Sequence, residues 1–163
     1  AELFNEDAEL LNKSVAMAPR VFELSEFIVD VLGIDDLSSI CLSTKPNRGS
    51  KTVYHPSCHL VRELHVVKQP RKLISSLPGI ELVTLGESDV CCGFGGSFSV
   101  KYSDISGAML QDKLDNIAES GASRIVSCDS SCIMHIGGGL KRQNINTRPV
   151  HIAQLIEEGI CTK

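Results

Sequence analysis

The sequence predicts an α/β fold, a mostly parallel sheet with helices on both faces in a Rossmann-like three-layer arrangement, preceded by N-terminal helices. The first observation behind this is that, after Gly49, short β-prone runs alternate with stretches of helical periodicity. The second is the order strand, helix, strand, helix, which implies crossover connections between parallel strands. The third is size. A chain of 163 residues is about one domain long and buries roughly 70% of its unfolded surface, so it needs no metal staple to fold. It reads as a single domain over 1–163, with a helical segment at 1–37 and an α/β cysteine-rich part at 38–163.

Residues 3–18 hold good helix formers (Leu3, Ala8, Leu10, Leu11, Ala16, Met17, Ala18) until Pro19 interrupts them. From 20 to 32, Val21, Leu24, Phe27, Ile28 and Val31 recur at helical spacing, with Gly33 as the cap. Both stretches read as packing helices. Residues 39–43 are β-prone and contain Cys41, which reads as a small buried hydrophobe; Lys45-Pro46-Asn47-Arg48-Gly49 reads as a turn.

A strand is expected over 51–55, running into Pro56-Ser57-Cys58. Two short helices follow, because Pro70 breaks one long helix but suits the start of a second. Their apolar faces are Leu60, Leu64 and Val67, then Leu73, Ile74 and Leu77. Pro78-Gly79 turns the chain into a strand over 80–85, and Val90-Cys91-Cys92-Gly93-Phe94-Gly95-Gly96 forms a loop. Residues 103–119 make the clearest helix, with Ile105, Met109, Leu110, Leu114 and Ile117 on one side and Gly121 beyond its end. A third strand over 124–127 delivers Cys128. A helix begins near Cys132, weakened by Gly137 to Gly139, and a fourth strand (147–152) and closing helix (153–158) complete the chain.

With 42% hydrophobic residues and a net charge of −4, the chain is an ordinary globular protein for which nucleic acid is not the expected partner. No apolar run approaches the roughly 20 residues that span a bilayer. Seven cysteines in a domain that needs no bridges point to a reducing compartment, the cytoplasm by default, and to metal or redox chemistry. The chain begins Ala-Glu-Leu-Phe without an initiator methionine, the expectation being a piece of something longer.

Neighbouring Cα atoms sit about 3.8 Å apart, whereas ordinary disulfides want roughly 4.4–6.8 Å. Cys91 and Cys92 are therefore better suited to holding a group as thiols than to bridging each other. Gly93, Gly95 and Gly96 let the backbone turn sharply and approach a bulky inorganic group. In parallel sheets ligands bind beyond the carboxyl ends of the strands. Cys58 follows the first strand of the series, Cys91 and Cys92 the second, Cys128 and Cys132 the third, so five thiols are expected at one edge.

Thiolates bind soft or borderline metals. Four sulfurs satisfy a tetrahedral zinc; a fifth suits a multi-iron cluster, and the count favours iron–sulfur over zinc. Inert buried thiols are the bland alternative for any one cysteine. His55, His59, His135 and His151 read as hydrogen-bonding groups around the site or as surface residues, with His59 able to replace a thiol around zinc. The glycine loop lacks the third glycine of a dinucleotide fingerprint, and Gly137 to Arg142 is no phosphate-binding loop. Lys141, Arg142 and Arg148 read as a solvated face.

The spacing of Cys58, Cys91-Cys92-Gly93 after 32 residues, and Cys128 after 35 more, with Cys132 following, resembles the cysteine-rich CCG domain. That domain occurs in heterodisulfide reductase catalytic subunits, glycolate oxidase iron–sulfur subunits and lactate-utilisation proteins. The wording Tyr54-His55-Pro56-Ser57-Cys58-His59, Cys91 to Gly96, Val100-Lys101-Tyr102 and Ser131 to Gly138 is most similar to the lactate-utilisation branch. The resemblance implies a role in oxidising L-lactate, or alternatively glycolate, alongside other iron–sulfur subunits that pass electrons onward. It also implies Cys58, Cys91, Cys92, Cys128 and Cys132 as ligands of an iron–sulfur cluster (4Fe-4S), with zinc in some members. The reductase pattern closes with two residues between its last cysteines; here there are three, which weakens Cys128 as a ligand and the likeness to the reductase's non-cubane cluster. Relatives of this kind carry two CCG motifs and this chain one, so it resembles a second half, in which the cluster and the activity are expected to be vulnerable to loss.

Overall fold

The computed structural model describes residues 2–40 and 49–160. The expectations for Cys41, for positions 41–43 and for turn positions 45–48 lie outside the described residues. Four strands, β1 (Ser50–Tyr54), β2 (Ile80–Leu82), β3 (Arg124–Ser127) and β4 (Arg148–His151), form one sheet. Its order is β2-β1-β3-β4 and every pairing is parallel, with Val53 opposite Ile125 and Val126 opposite Val150. The α/β expectation is met.

Helices cover both faces. On one side α6 (Ser103–Ser120) and α7 (Ser130–Arg142) pack Leu110, Leu114, Ile117, Ile136 and Leu140 against Val53 and Ile125. On the other, α4 (Gln69–Ser76) and α8 (Ile152–Ile160) pack Leu73, Ile74, Leu155 and Ile156 against Tyr54, Val126 and Val150. Adjacent strand residues serve opposite cores because side chains alternate across a strand. Glu158 fastens α8 to the sheet edge, accepting from Arg124 at 3.2 Å and Arg148 at 2.8 Å.

The N-terminal segment departs from expectation. α1 (Ala8–Met17) is capped by Asp7, whose carboxylate accepts from the amides of Glu9 and Leu10, but it buries none of its residues. Periodicity identifies a face that can be covered, not an element that covers it. The second helix starts at Leu24, not residue 20, because Glu23 and Glu26 form a reciprocal cap there; α2 (Leu24–Glu26) then runs into a π turn at Phe27–Val31. Ser39 and Ile40 lie in a turn. A short helix not expected from sequence, α5 (Ser97–Lys101), follows the glycine loop, and α3 (Cys58–Arg62) follows β1.

α6 buries Leu110, Leu114 and Ile117 of its sequence-predicted face, but Ile105 in its first turn is 56% exposed, whereas Ser106 and Lys113 are buried. α7 is a continuous helix through Gly137 to Gly139. Those glycines permit contact. A Cβ on Gly139 would lie 2.8 Å from Leu114 Cδ1 and 3.2 Å from Leu110 Cδ2, and one on Gly137 would lie 3.0 Å from Pro149.

Gly138 instead faces open space. Gly138→Ala is expected to raise stability by about 0.5–1 kcal/mol through helix propensity alone. Gly139→Ala is expected to lower it by about 1–2 kcal/mol, because overpacking outweighs that gain. Urea unfolding of both variants checks this; equal stabilisation by the two would mean that the α6–α7 spacing is not set by the missing Cβ.

Candidate metal centre

The strand order reverses direction at β1: the chain passes from β1 to β2 on one side, then to β3 on the other. The carboxyl ends of β1 and β3 thus flank a topological switch point, the usual crevice for a ligand in such sheets. His55 and Cys58 follow β1, Cys128 and Cys132 follow β3, and the Cys91-Cys92 loop descends beside them. A cavity of about 280 Å³ opens here, lined by Cys58, Cys91, Cys92 and Cys132 together with Ser57, Asp129 and the glycine loop.

Each sulfur is positioned by a local device. Ser57 caps α3, its hydroxyl accepting from the Leu60 amide at 3.3 Å, and so sets Cys58 in the first turn. Asp129 caps α7, accepting from the amides of Ser131 at 2.9 Å and Cys132 at 3.3 Å. Burial opposes ionisation of Asp129, but these hydrogen bonds and the Ser131 hydroxyl outweigh it and hold its pKa below the usual value. The Gly93 amide donates to Cys91 Sγ at 3.3 Å. Gly93 has φ +88°, and a Cβ there would sit 2.6 Å from the Ser106 carbonyl oxygen, so the loop can lie on α6 only with glycine. The Ser106 hydroxyl returns a hydrogen bond to the Gly93 carbonyl at 2.7 Å.

His55 completes the group. One of its ring nitrogens and the sulfurs of Cys92 and Cys132 all lie within 4.8 Å of one another, and all three residues are buried. His55 is 0% exposed, yet both ring nitrogens lack a hydrogen-bond partner. An unsatisfied buried polar group costs about 1–3 kcal/mol, and such groups are rare in native proteins. A metal with N and S ligands at about 2.0–2.3 Å would satisfy one of these nitrogens, so the donor set fits a metal or cluster.

Cys128 lies elsewhere. Its Sγ is 3.7 Å from the Tyr54 hydroxyl and it packs with the α4–α8 core. It lines a separate cavity of about 350 Å³ with Val21, Phe22 and Glu23. The cause is strand alternation: Val53 and Ile125 face α6 and α7, Tyr54 and Val126 face away, so His55 returns to the cysteine side and Cys128 departs from it. The backbone keeps that alternation past β1, since the His55 amide still donates to the Val126 carbonyl at 2.8 Å.

The other histidines differ in placement. His59 is exposed and lines both cavities. His135 stacks near Phe94, ring centroids 5.5 Å apart, with a buried unpaired Nε2. His151 Nδ1 accepts from the Ala153 amide at 3.2 Å, so Nε2 carries the proton and donates to the Cys128 carbonyl at 3.0 Å. His55 is the residue that sequence reasoning placed only at the margin of the site. The period-two pattern of β1, carried one residue further, was the signal for it.

Charge is divided unequally among the thiols. The neighbouring Cys132 thiol holds Cys92 down to about 4, against the cost of burial, helped by the nearby His55 ring and the Phe94 amide. Cys132 is pushed up by the same neighbour and by burial. Burial raises Cys58 to about 11, reinforced by Cys91, and Cys128 to about 12, reinforced by Glu23. Near neutrality the buried pair thus carries one proton and one negative charge, a ready donor for a cation.

The depressed Cys92 value has a defined sign. Below the ordinary thiol pKa of about 8.5, the unfolded chain binds a proton that folded Cys92 has released. Its stabilisation is therefore full above that pH and is lost as pH falls toward 4. In metal-free protein, wild type is expected to gain stability over Cys92→Ser between pH 5 and 8, by up to about 1.4 kcal/mol per pH unit. Urea titrations of both proteins measure this. Parallel pH profiles would show that Cys92 is not ionised.

The profile of the CCG cysteine-rich domain matches residues 52–137, more than half of the chain. Lactate utilization protein A 1 of Bacillus anthracis is 37% identical over 159 residues, covering 98% of this chain and 63% of that protein. Lactate utilization protein A of Exiguobacterium sp. is 39% identical over 158 residues (97% and 62%), and that of Macrococcus caseolyticus 40% over 159 residues (98% and 62%). The chain spans under two thirds of the length of these curated relatives. The matched stretch runs from β1 into α7 and contains the Cys91-Cys92-Gly93 turn that rests on α6; the chain belongs to the CCG cysteine-rich domain family.

Proposed function

We propose that this chain is the iron–sulfur, electron-carrying part of a lactate-utilisation system, its centre held by Cys58, Cys91, Cys92 and Cys132 with His55 as a further donor. The observation that carries the reading is His55, fully buried with both ring nitrogens unpaired beside two sulfurs. The relatives' names supply the lactate assignment. Cys128 is left out of the ligand set because it faces the other core.

When bound, such a cluster takes up and releases single electrons, with potentials set by charge and by hydrogen bonds to sulfur. The chain's own residues prepare the site. The Gly93 amide directs a hydrogen bond at Cys91 Sγ, the caps Ser57 and Asp129 aim Cys58 and Cys132, and the apolar α6–α7 core keeps water from Cys92, which is 1% exposed. The other iron–sulfur subunits of a lactate- or glycolate-oxidising complex are the proposed electron partners, docking at the open cavity mouth beside exposed Gly95 and Gly96.

Zinc is the second reading, favoured by one feature: His55, Cys92 and Cys132 with one adjoining thiol make the N and S donor set of a four-coordinate structural site. The chain would then shape an interaction surface without redox chemistry.

Iron, sulfide and zinc are to be quantified in the full-length protein purified anaerobically, with visible and paramagnetic spectra. Iron and sulfide at several atoms per chain are expected. Cys92→Ser and Cys132→Ser are expected to lose at least about nine tenths of the metal, and Cys128→Ser to keep it. One colourless zinc per chain without iron overturns the electron-transfer reading, and metal loss in Cys128→Ser overturns the ligand set.

A further inference from the structure

Lys113 is the one lysine among the described residues that is buried, at 1% exposure, on the core-facing side of α6 beside Leu110, Leu114 and Ile117. Burying an ammonium is costly unless it is paired and hydrogen-bonded. Among the described residues Lys113 forms no salt bridge; its Nζ donates instead to the carbonyls of Glu87 at 2.8 Å and Ser88 at 3.3 Å. Both belong to the turn that enters Cys91-Cys92.

That turn is conformationally expensive. Glu87 has φ +45°, a left-handed value that a non-glycine residue adopts at a cost. Its carbonyl also accepts from the Val90 amide at 3.1 Å, closing the turn one residue before Cys91. A single carbonyl thus takes both the closing bond and the buried ammonium. Desolvation pulls the Lys113 pKa down; the charge that most opposes this is Cys92, followed by Glu87, Asp89 and Cys91.

We propose that Lys113 is a positioning residue for the metal centre: its buried ammonium locks the Glu87–Val90 turn that delivers the paired cysteines, and its positive charge, held at the entry to that loop, stabilises negative charge at the site. The inference rests on the metal-centre reading of the cavity, with either iron–sulfur or zinc. A cation at the entry to the ligand loop favours the more negative, reduced form of a cluster and the thiolate form of a zinc site. It does so without touching the metal.

The test compares wild type, Lys113→Met and Lys113→Arg as full-length protein reconstituted anaerobically with iron and sulfide. In Lys113→Met the reduction equilibrium is expected to shift about tenfold toward the oxidised form, a midpoint about 59 mV lower for one electron, with Lys113→Arg returning to near wild type. A Lys113→Met midpoint equal to wild type overturns the proposal, even where cluster content falls. If wild type takes zinc and no iron, the iron–sulfur reading fails by itself, and the Lys113 proposal is then read from zinc affinity by chelator competition. A roughly tenfold weaker Lys113→Met, restored in Lys113→Arg, supports it; unchanged affinity overturns it. Should Lys113→Met not fold, Lys113→Gln, an uncharged amide donor, takes its place in both arms.

Discussion

Everything at this site depends on the alternation of side chains at the ends of β1 and β3. Val53 and Tyr54 serve opposite cores, as do Ile125 and Val126, and the two residues that continue these strands inherit the pattern. His55 is carried to the side of Cys92 and Cys132; Cys128 is carried to the side of Tyr54. A shift of one residue in either strand would exchange the faces. The sheet register therefore chooses the donors, and the parallel pairing of Val53 with Ile125 and Tyr54 with Val126 fixes it from the centre of the molecule.

The close approach of the double-cysteine loop to α6 is the second constraint. Gly93 lies where a Cβ would collide with the Ser106 backbone, and buried Ser106 is spent on holding the Gly93 carbonyl. Lys113, two turns further along the same helix, grips the other end of the loop. Polar positions on the buried face of α6 thus serve the loop, not the core. Ile105, which hydrophobic periodicity had turned inward, is left exposed at the start of the helix.

Cys128 and Tyr54 make a different environment a short distance away. Burial raises the pKa of both, the Cys128 charge adding to the effect on Tyr54, so neither ionises near neutrality. The cavity beside Cys128 is walled by Val21 and Phe22 from the N-terminal segment. Only the first helix of that segment is weakly held: α1 buries nothing, and Leu10, Val15 and Met17 remain 43–64% exposed, whereas Ile28, Val29 and Ile34 pack against the α4–α8 core. The cysteine cavity, by contrast, is built wholly from elements of the α/β core.

By itself the sequence determined the layer architecture, the four strands, the Gly121 cap of the longest helix and the gathering of cysteines beyond the strand ends. These follow from local periodicity, from proline and glycine punctuation and from the rule that parallel strands present their carboxyl ends together. Tertiary structure alone decided which donors share a cavity, because that depends on which face of a central strand each residue takes and on the neighbours it meets. The same holds for the glycines of α7, which local propensity marks as weak points and packing uses as contact surface against Leu114 and Pro149. It holds also for Lys113, whose burial and partners arise only when α6 is set against the loop. Propensities are properties of a segment; burial, pairing and charge compensation belong to the assembled chain.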